Sequence, residues 1–243
     1  NHLRMYIASI ACNIGQSHWK TPAKWMYYHL LDADWASNAL SWQWVAGSNS
    51  NKKYVANQDN INKYCFTKQK DTFLDIDYGS FSTLKIPEIL KETPDLNLTT
   101  SLSKQRKIDI DETLPTCVYN FYNLDPNWKT DISANRILLL EPSHFQEYPV
   151  SKNTIAFIIK LSKENLPNIQ IFIGEFSALT KAYNLTTIYF KEHPLNKHYK
   201  GIKESRDWMF EVKGFHPSFF YRLYVLNVTA AANVVSLFYP CNL

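Results

Sequence analysis

Apolar residues recur at helical spacing from the start of the chain. Leu3, Ile7, Ile10 and Ile14 fall on one face, which predicts a helix over 1–15. "TPAKWMYYHLLD" predicts a second helix, with Thr21 as its cap and Pro22 at the first helical position. "SNALSWQWVAG" predicts a third, closed by Gly47, and "NQDNINKYC" a short fourth. Residues 66–132 break the pattern: Pro87, Pro94, Pro115 and Pro126 interrupt it, and "LNLTTSLSKQRK" is polar. This stretch reads as a loop-rich connector with short helical pieces.

From residue 133 onward apolar runs of strand length alternate with helical patterns. "RILLLE" reads as a strand, and "VSKNTIAFIIKLSKEN" as a helix with Ser151 as cap and Val150 and Ile155 as a hydrophobic staple. "NIQIFIGE", "FSALTKAYN" and "TTIYFKE" continue as strand, helix and strand. The alternation predicts a parallel sheet in an α/β layer. The closing "VTAAANVVSLFYPCNL" leaves the pattern and reads either as a packed tail or as an altered reading of the terminus. The expected fold class is α + α/β: an all-helical section over 1–65, a connector over 66–132, and a small Rossmann-like segment over 133–243.

Composition narrows this a little. The 243 residues suffice for one large domain or two small ones, and a net charge of +4 is too mild to identify a nucleic-acid partner. In residues 1–64, Arg4, Lys20, Lys24, Lys52, Lys53 and Lys63 outnumber Asp32, Asp34 and Asp59, which suits a DNA-binding rim or a plain solvated face equally. Cys12, Cys65, Cys117 and Cys241 have no paired spacing. That argues against a zinc site or a disulfide framework and fits a reducing compartment, so the cytoplasm is expected, with no membrane span. No metal is expected: His193 and His198 are five apart, and surface histidines explain them better than ligation. Glu141, Ser143 and His144 follow a strand, where a nucleotide- or chromophore-like pocket competes with a structural loop. No G-x-S-x-G elbow supports a hydrolase. "NHLRMYIASIACNIG" does not begin with Met and reads as the middle of a longer sequence, so a fragment is expected.

"LLDADWASNALSWQWVAG", residues 30–47, concentrates the candidate chemistry. Asp32 and Asp34 fall near a helix junction, and Asn38 and Trp42, four apart, share a helix face. The tryptophans read either as core and the aspartates as caps, or together as a pocket for a flat, polar-edged aromatic ligand. Composition alone favours the first.

The order Asn1-x-x-Arg4-Met5, Trp19, Asp32-x-Asp34-x-Ala36-x-Asn38, Trp42-Gln43-Trp44 resembles the flavin-binding helical domain of the photolyase/cryptochrome family. The resemblance covers about the first 65 residues and is specific in order and spacing. It implies FAD as cofactor and a carbon–carbon lyase that repairs cyclobutane pyrimidine dimers in DNA by light-driven electron transfer. It also implies a role for each matching residue. Asn38 would face the flavin N5, Asp34 would meet the polar ring edge, and Arg4 and Asp32 would pair beside the ring. Trp42 would be the nearest electron donor and Trp19 the second. Asn1, Met5 and Trp44 would line the lesion pocket, Asn1 would also belong to the cofactor-binding set, and His2 stands where an arginine often contacts DNA. The implied partner is damaged DNA, bound by a monomer, with a second antenna chromophore as an option. The alternatives are a cryptochrome-like photoreceptor without repair and a non-catalytic α/β ligand-binding protein. In the family a Ser/Thr-rich loop cradles the FAD pyrophosphate, a third tryptophan completes the electron chain, and both belong upstream of the motif. The 243-residue chain by itself is therefore expected to be inactive.

Overall fold

The first helix runs as α1 (His2–Ser9) and then widens into a π turn over Ile10–Ile14 in the computed structural model, which describes residues 2–31, 34–48 and 52–206. Gly15 ends the wide turn, its amide donating to the Ile10 carbonyl at 2.8 Å. A side chain at position 15 would meet the Ala11 carbonyl oxygen at 3.0 Å, so the turn closes on a residue without one. Helix α2 (Lys20–His29) starts earlier than Thr21: Trp19 takes the cap position and offers no side-chain bond. Thr21 and Pro22 therefore lie inside the first turn, where a missing amide hydrogen costs no helical bond.

Helix α3 (Trp35–Ala46) also starts before the predicted Ser37. Asp34 caps it, its Oδ1 accepting the Ser37 amide at 2.7 Å. It ends, as predicted, at Gly47, in the left-handed region at φ 71°. Helix α4 (Gln58–Cys65) is capped by Asn57. Ala8, Cys12, Ala23, Met26, Trp42 and Val45 form the helical core. The small residues at 8 and 23 let α1 and α2 close around the Trp42 indole.

The stretch read as a connector is partly tied down. Leu74 is buried, and its carbonyl accepts the Gln58 amide at 2.8 Å. Asn57 donates to the Ile76 carbonyl, and the Thr72 hydroxyl donates to Gln58 at 2.6 Å. The same stretch also contains β1 (Thr116–Tyr119), so the sheet begins before residue 133. All four residues of β1 are buried, and so short a buried run after Pro115 shows no alternation for a pattern to register.

The sheet adds β2 (Asn135–Leu140), β3 (Gln170–Ile173), β4 (Ile188–Lys191) and β5 (Ile202–Glu204), all parallel, in the order β3-β2-β1-β4-β5. Helices α5 (Pro142–Glu147), α6 (Lys152–Asn165) and α7 (Phe176–Ala182) connect the strands. Ser151 caps α6 as predicted, accepting the Thr154 amide at 3.2 Å, and Val150 and Ile155 share one core. The pleat divides the apolar residues between two cores. Cys117, Tyr119, Leu138 and Leu140 face α6, while Val118, Ile137, Leu139 and Phe172 face α7. The fold class is α + α/β, as expected. No described helix is long and apolar enough to cross a membrane. Asn1, Asp32 and the closing stretch lie outside the described residues.

Candidate functional site

Helix α3 turns Ala36 and Trp44 outward and carries Asn38 and Trp42 inward. Asn38 and Trp42 are 3% and 1% exposed. The Asn38 Nδ2 donates to the Ala23 carbonyl at 2.8 Å and so ties α3 to the first turn of α2. Trp42 is sealed in the helical core, and Trp19 and Met5 pack on the edge of the same core. Asp34 stands at the head of α3 with one oxygen engaged as the cap, and Arg4 is half-buried on α1. The helical bundle thus gathers Asp34, Asn38, Trp42, Trp19 and Met5. Trp44 and His2 stand apart from them. Trp44 is 43% exposed and tilts against Tyr54, with ring centroids 5.5 Å apart. His2 is exposed and stacks on Tyr64 at 4.7 Å. Asn1 and Asp32 are outside the described residues, and with them the expected Arg4–Asp32 pair.

Sequence patterns gave no sign of where the α2–α3 junction packs. Tyr27, on α2, is 2% exposed and belongs to the α/β core rather than the helical one. Its ring meets the edge of Trp35 at 5.6 Å, and Trp35 packs against both cores. Opposite them lies the loop after β1. The chain leaves β1 outward through β2 and β3, then returns past it to β4 and β5, so the β1/β4 edge is the topological switch point. There the Tyr122 ring stacks on His193 at 4.5 Å and 17°. The signal that could have found this is the aromatic pair in "YNFYN", immediately after a buried strand.

Burial governs ionisation at this edge. It pushes the Tyr27 phenol up to about 12 and Tyr122 higher still. It pulls His193 down to about 4, with Arg206 adding to the effect. His144, packed by Phe121, Phe145 and Tyr148, is pulled down to about 4 for the same reason, and its Nε2 has no partner.

The remaining polar residues hold the sheet edge together. Glu141 is buried and accepts the Phe176 amide at 2.9 Å and the Tyr199 hydroxyl at 3.2 Å, and its Oε1 lies 2.8 Å from the His198 Nε2. The Ser143 hydroxyl donates to Glu175 at 2.8 Å rather than meeting His144. His193 caps its own turn, its Nδ1 accepting the Leu195 amide at 3.2 Å. Neither a hydrolytic trio nor a metal set forms here, and no group of three metal-binding side chains exists among the described residues.

The model of the FAD-binding domain of DNA photolyase matches residues 1–118. Residues 1–118 belong to the photolyase family. Over 48 residues the chain is 48% identical to the deoxyribodipyrimidine photo-lyase of Agrobacterium fabrum (strain C58 / ATCC 33970), which covers 20% of this chain and 10% of that protein. No solved structure matches. The photolyase-type segment runs past residue 65, through the connector and into β1. A carboxylate and a carboxamide lie four residues apart along α3, an indole lies one turn further, and an arginine sits on the neighbouring α1.

The two lowered histidines carry a pH dependence. Their folded values lie below the ordinary 6.5, so the unfolded chain takes up their protons first. Stability should be full above about pH 6.5, fall between about 6.5 and 4, and flatten below that, by about 3 kcal/mol per histidine at most. Urea unfolding at pH 7.5 and 4.5 measures this. His144→Phe, which suits the aromatic surroundings, should remove about half of the loss, and an unchanged slope would mean that His144 does not contribute.

Proposed function

We propose that this chain is part of a photolyase-type flavoprotein, a carbon–carbon lyase that repairs cyclobutane pyrimidine dimers in DNA in a light-dependent reaction. The reading rests above all on one observation: Trp42 is sealed in the helical core one turn below Asn38, with Trp19 at the edge of that core. Bound FAD supplies the photoexcited electron that splits the dimer. The protein's own residues hold the ring and manage charge. Asn38 is a neutral amide, so it meets the N5 edge without adding a buried ion. Asp34 meets the polar ring edge, and Arg4 supplies a fixed positive charge. Trp42, shielded from water, delivers electrons to the ring region, and Trp19 relays them from the surface side.

The lesion side rests on Asn1, Met5 and Trp44. Trp44 offers an indole at the surface beside Tyr54, which suits stacking of a flipped base. His2, already stacked on Tyr64, makes a weaker phosphate contact than an arginine, and this favours the cryptochrome-like photoreceptor as the second reading. No antenna chromophore is proposed, because Tyr122 and His193 stack on each other at the switch point. Cys12, Cys65 and Cys117 are free thiols, which suits a reducing compartment such as the cytoplasm.

The direct test is to titrate FAD into the full-length protein and measure dimer repair under blue light. Stoichiometric FAD with light-dependent repair is expected. FAD without repair would favour the photoreceptor, and no FAD uptake would sink both readings. Trp42→Phe should retain the cofactor but slow photoreduction of the oxidised flavin at least tenfold, since phenylalanine fills similar space and is far harder to oxidise. Transient absorption after a laser flash measures the rate, and wild-type kinetics would mean that electrons take another route. Trp44→Ala should weaken binding to dimer-containing DNA by roughly 5- to 150-fold, the equivalent of about 1–3 kcal/mol of base stacking. Undamaged DNA should be affected little, and an equal loss on both DNAs would make Trp44 structural.

A further inference from the structure

Trp35, Asn38 and Trp42 lie on one stripe of α3, at positions i, i+3 and i+7. Along the helix axis Asn38 stands about 4.5 Å from Trp35 and about 6 Å from Trp42, at a rise of about 1.5 Å per residue. A ring that meets Asn38 therefore has one indole a turn toward the C-terminus of the helix and another a turn toward its N-terminus. Trp42 is sealed in the helical core. Trp35 is half-buried and packs against both the helical core and the α/β core.

Two phenols flank the Trp35 indole. Tyr27 meets it edge-on, with centroids 5.6 Å apart and planes at 85°. Tyr148, just past the end of α5, lies at 5.6 Å and 46°. Hydrogen bonds hold the two sides of this contact together. The Tyr28 carbonyl accepts the Ser151 amide at 2.9 Å, and the Tyr28 hydroxyl donates to the Thr99 carbonyl at 3.2 Å. The Thr100 hydroxyl accepts the Val150 amide at 2.7 Å and donates to the Val150 carbonyl at 2.9 Å. The phenols differ in their access to water. Tyr27 is 2% exposed, whereas Tyr148 is half-buried. A phenol that loses an electron becomes a strong acid and stays oxidised only if its proton can leave. Tyr148 meets that condition and Tyr27 does not.

We propose that Trp35 and Tyr148 form a second electron route to the flavin, alongside Trp42 and Trp19. This rests on the flavin reading above and extends it into the α/β segment. Trp35 gives one electron to the photoexcited, oxidised flavin, and Tyr148 refills the indole with one electron. The Tyr148 phenol releases its proton to water, which leaves a neutral tyrosyl radical and stops the electron from returning. A thiol reductant in the medium restores Tyr148 with one electron and one proton, and the resulting thiyl radicals pair as a disulfide. Trp35 therefore governs the rate of the first step, and Tyr148 the yield of lasting reduction.

The test uses the full-length, FAD-loaded protein carrying Trp42→Phe, in which the route through Trp42 and Trp19 is closed. After a laser flash this variant should retain a slow photoreduction and show the electron paramagnetic resonance signal of a tyrosyl radical. Adding Tyr148→Phe keeps the ring against Trp35 and removes only the hydroxyl. It should abolish the signal and cut the yield of lasting reduction severalfold, with the melting temperature near that of the parent. Adding Trp35→Phe should also slow the first step, and adding Tyr27→Phe should change neither rate nor yield. A tyrosyl signal or yield that survives Tyr148→Phe would overturn the route, and so would loss of the signal in Tyr27→Phe. FAD uptake with no tyrosyl signal in the Trp42→Phe parent overturns the route alone. If the wild-type protein takes up no FAD, the flavin reading fails and the route falls with it.

Discussion

Tyr27 and Trp35 are the constraint on which the two parts of the chain depend. Tyr27 is carried by a helix of one core but buried in the other, and Trp35 packs against both. Burying side chains of this size contributes on the order of 2 kcal/mol each. Beside them the Tyr28 carbonyl accepts the amide of Ser151, the cap of α6, at 2.9 Å. Once this contact is made, the directions of α2 and α3 relative to the sheet are no longer independent.

What could be read from the sequence follows from how local each signal is. Gly47 and Ser151 act within a single turn of their own helices, and both terminate helices as their residue types suggest. Thr21 misled because cap preference is weak when the chain already enters helical geometry at Lys20. Asp34 was noticed for its carboxylate, yet its cap on Ser37, which is equally local, places the start of α3. β1 escaped because a short, fully buried central strand has neither alternation nor length. The flavin motif was legible because several unusual residues recur at fixed spacing. The α2–α3 junction was not, since Tyr27, Tyr122 and His193 are distant in sequence and ordinary one by one.

The polar residues at the C-terminal edge of the sheet illustrate a related point. Glu141, Ser143, His144 and His193 look like chemistry when read along the chain, being nucleophile, base and carboxylate types close to strand ends. In three dimensions most of them are satisfied by other neighbours. Glu141 satisfies a helix-start amide and a buried phenol, Glu175 satisfies Ser143, and His193 caps a turn. A sheet edge occupied in this way is a joint between layers rather than an open crevice.

The strand β1 belongs at once to the photolyase-type match, which ends at residue 118, and to the middle of the sheet. On the ribosome it is made before any strand that flanks it: β2 follows, and β4, its other neighbour, is made only after β3 and three more helices. An apolar strand with two unsatisfied edges must therefore be sheltered while the remainder of the sheet is still being translated. The helical bundle, already synthesised and carrying Tyr27 on its surface, is the available shelter. Moving the α/β segment to another protein as a cassette would have to take β1 with it, and would cut the photolyase-type sequence within its own matched span.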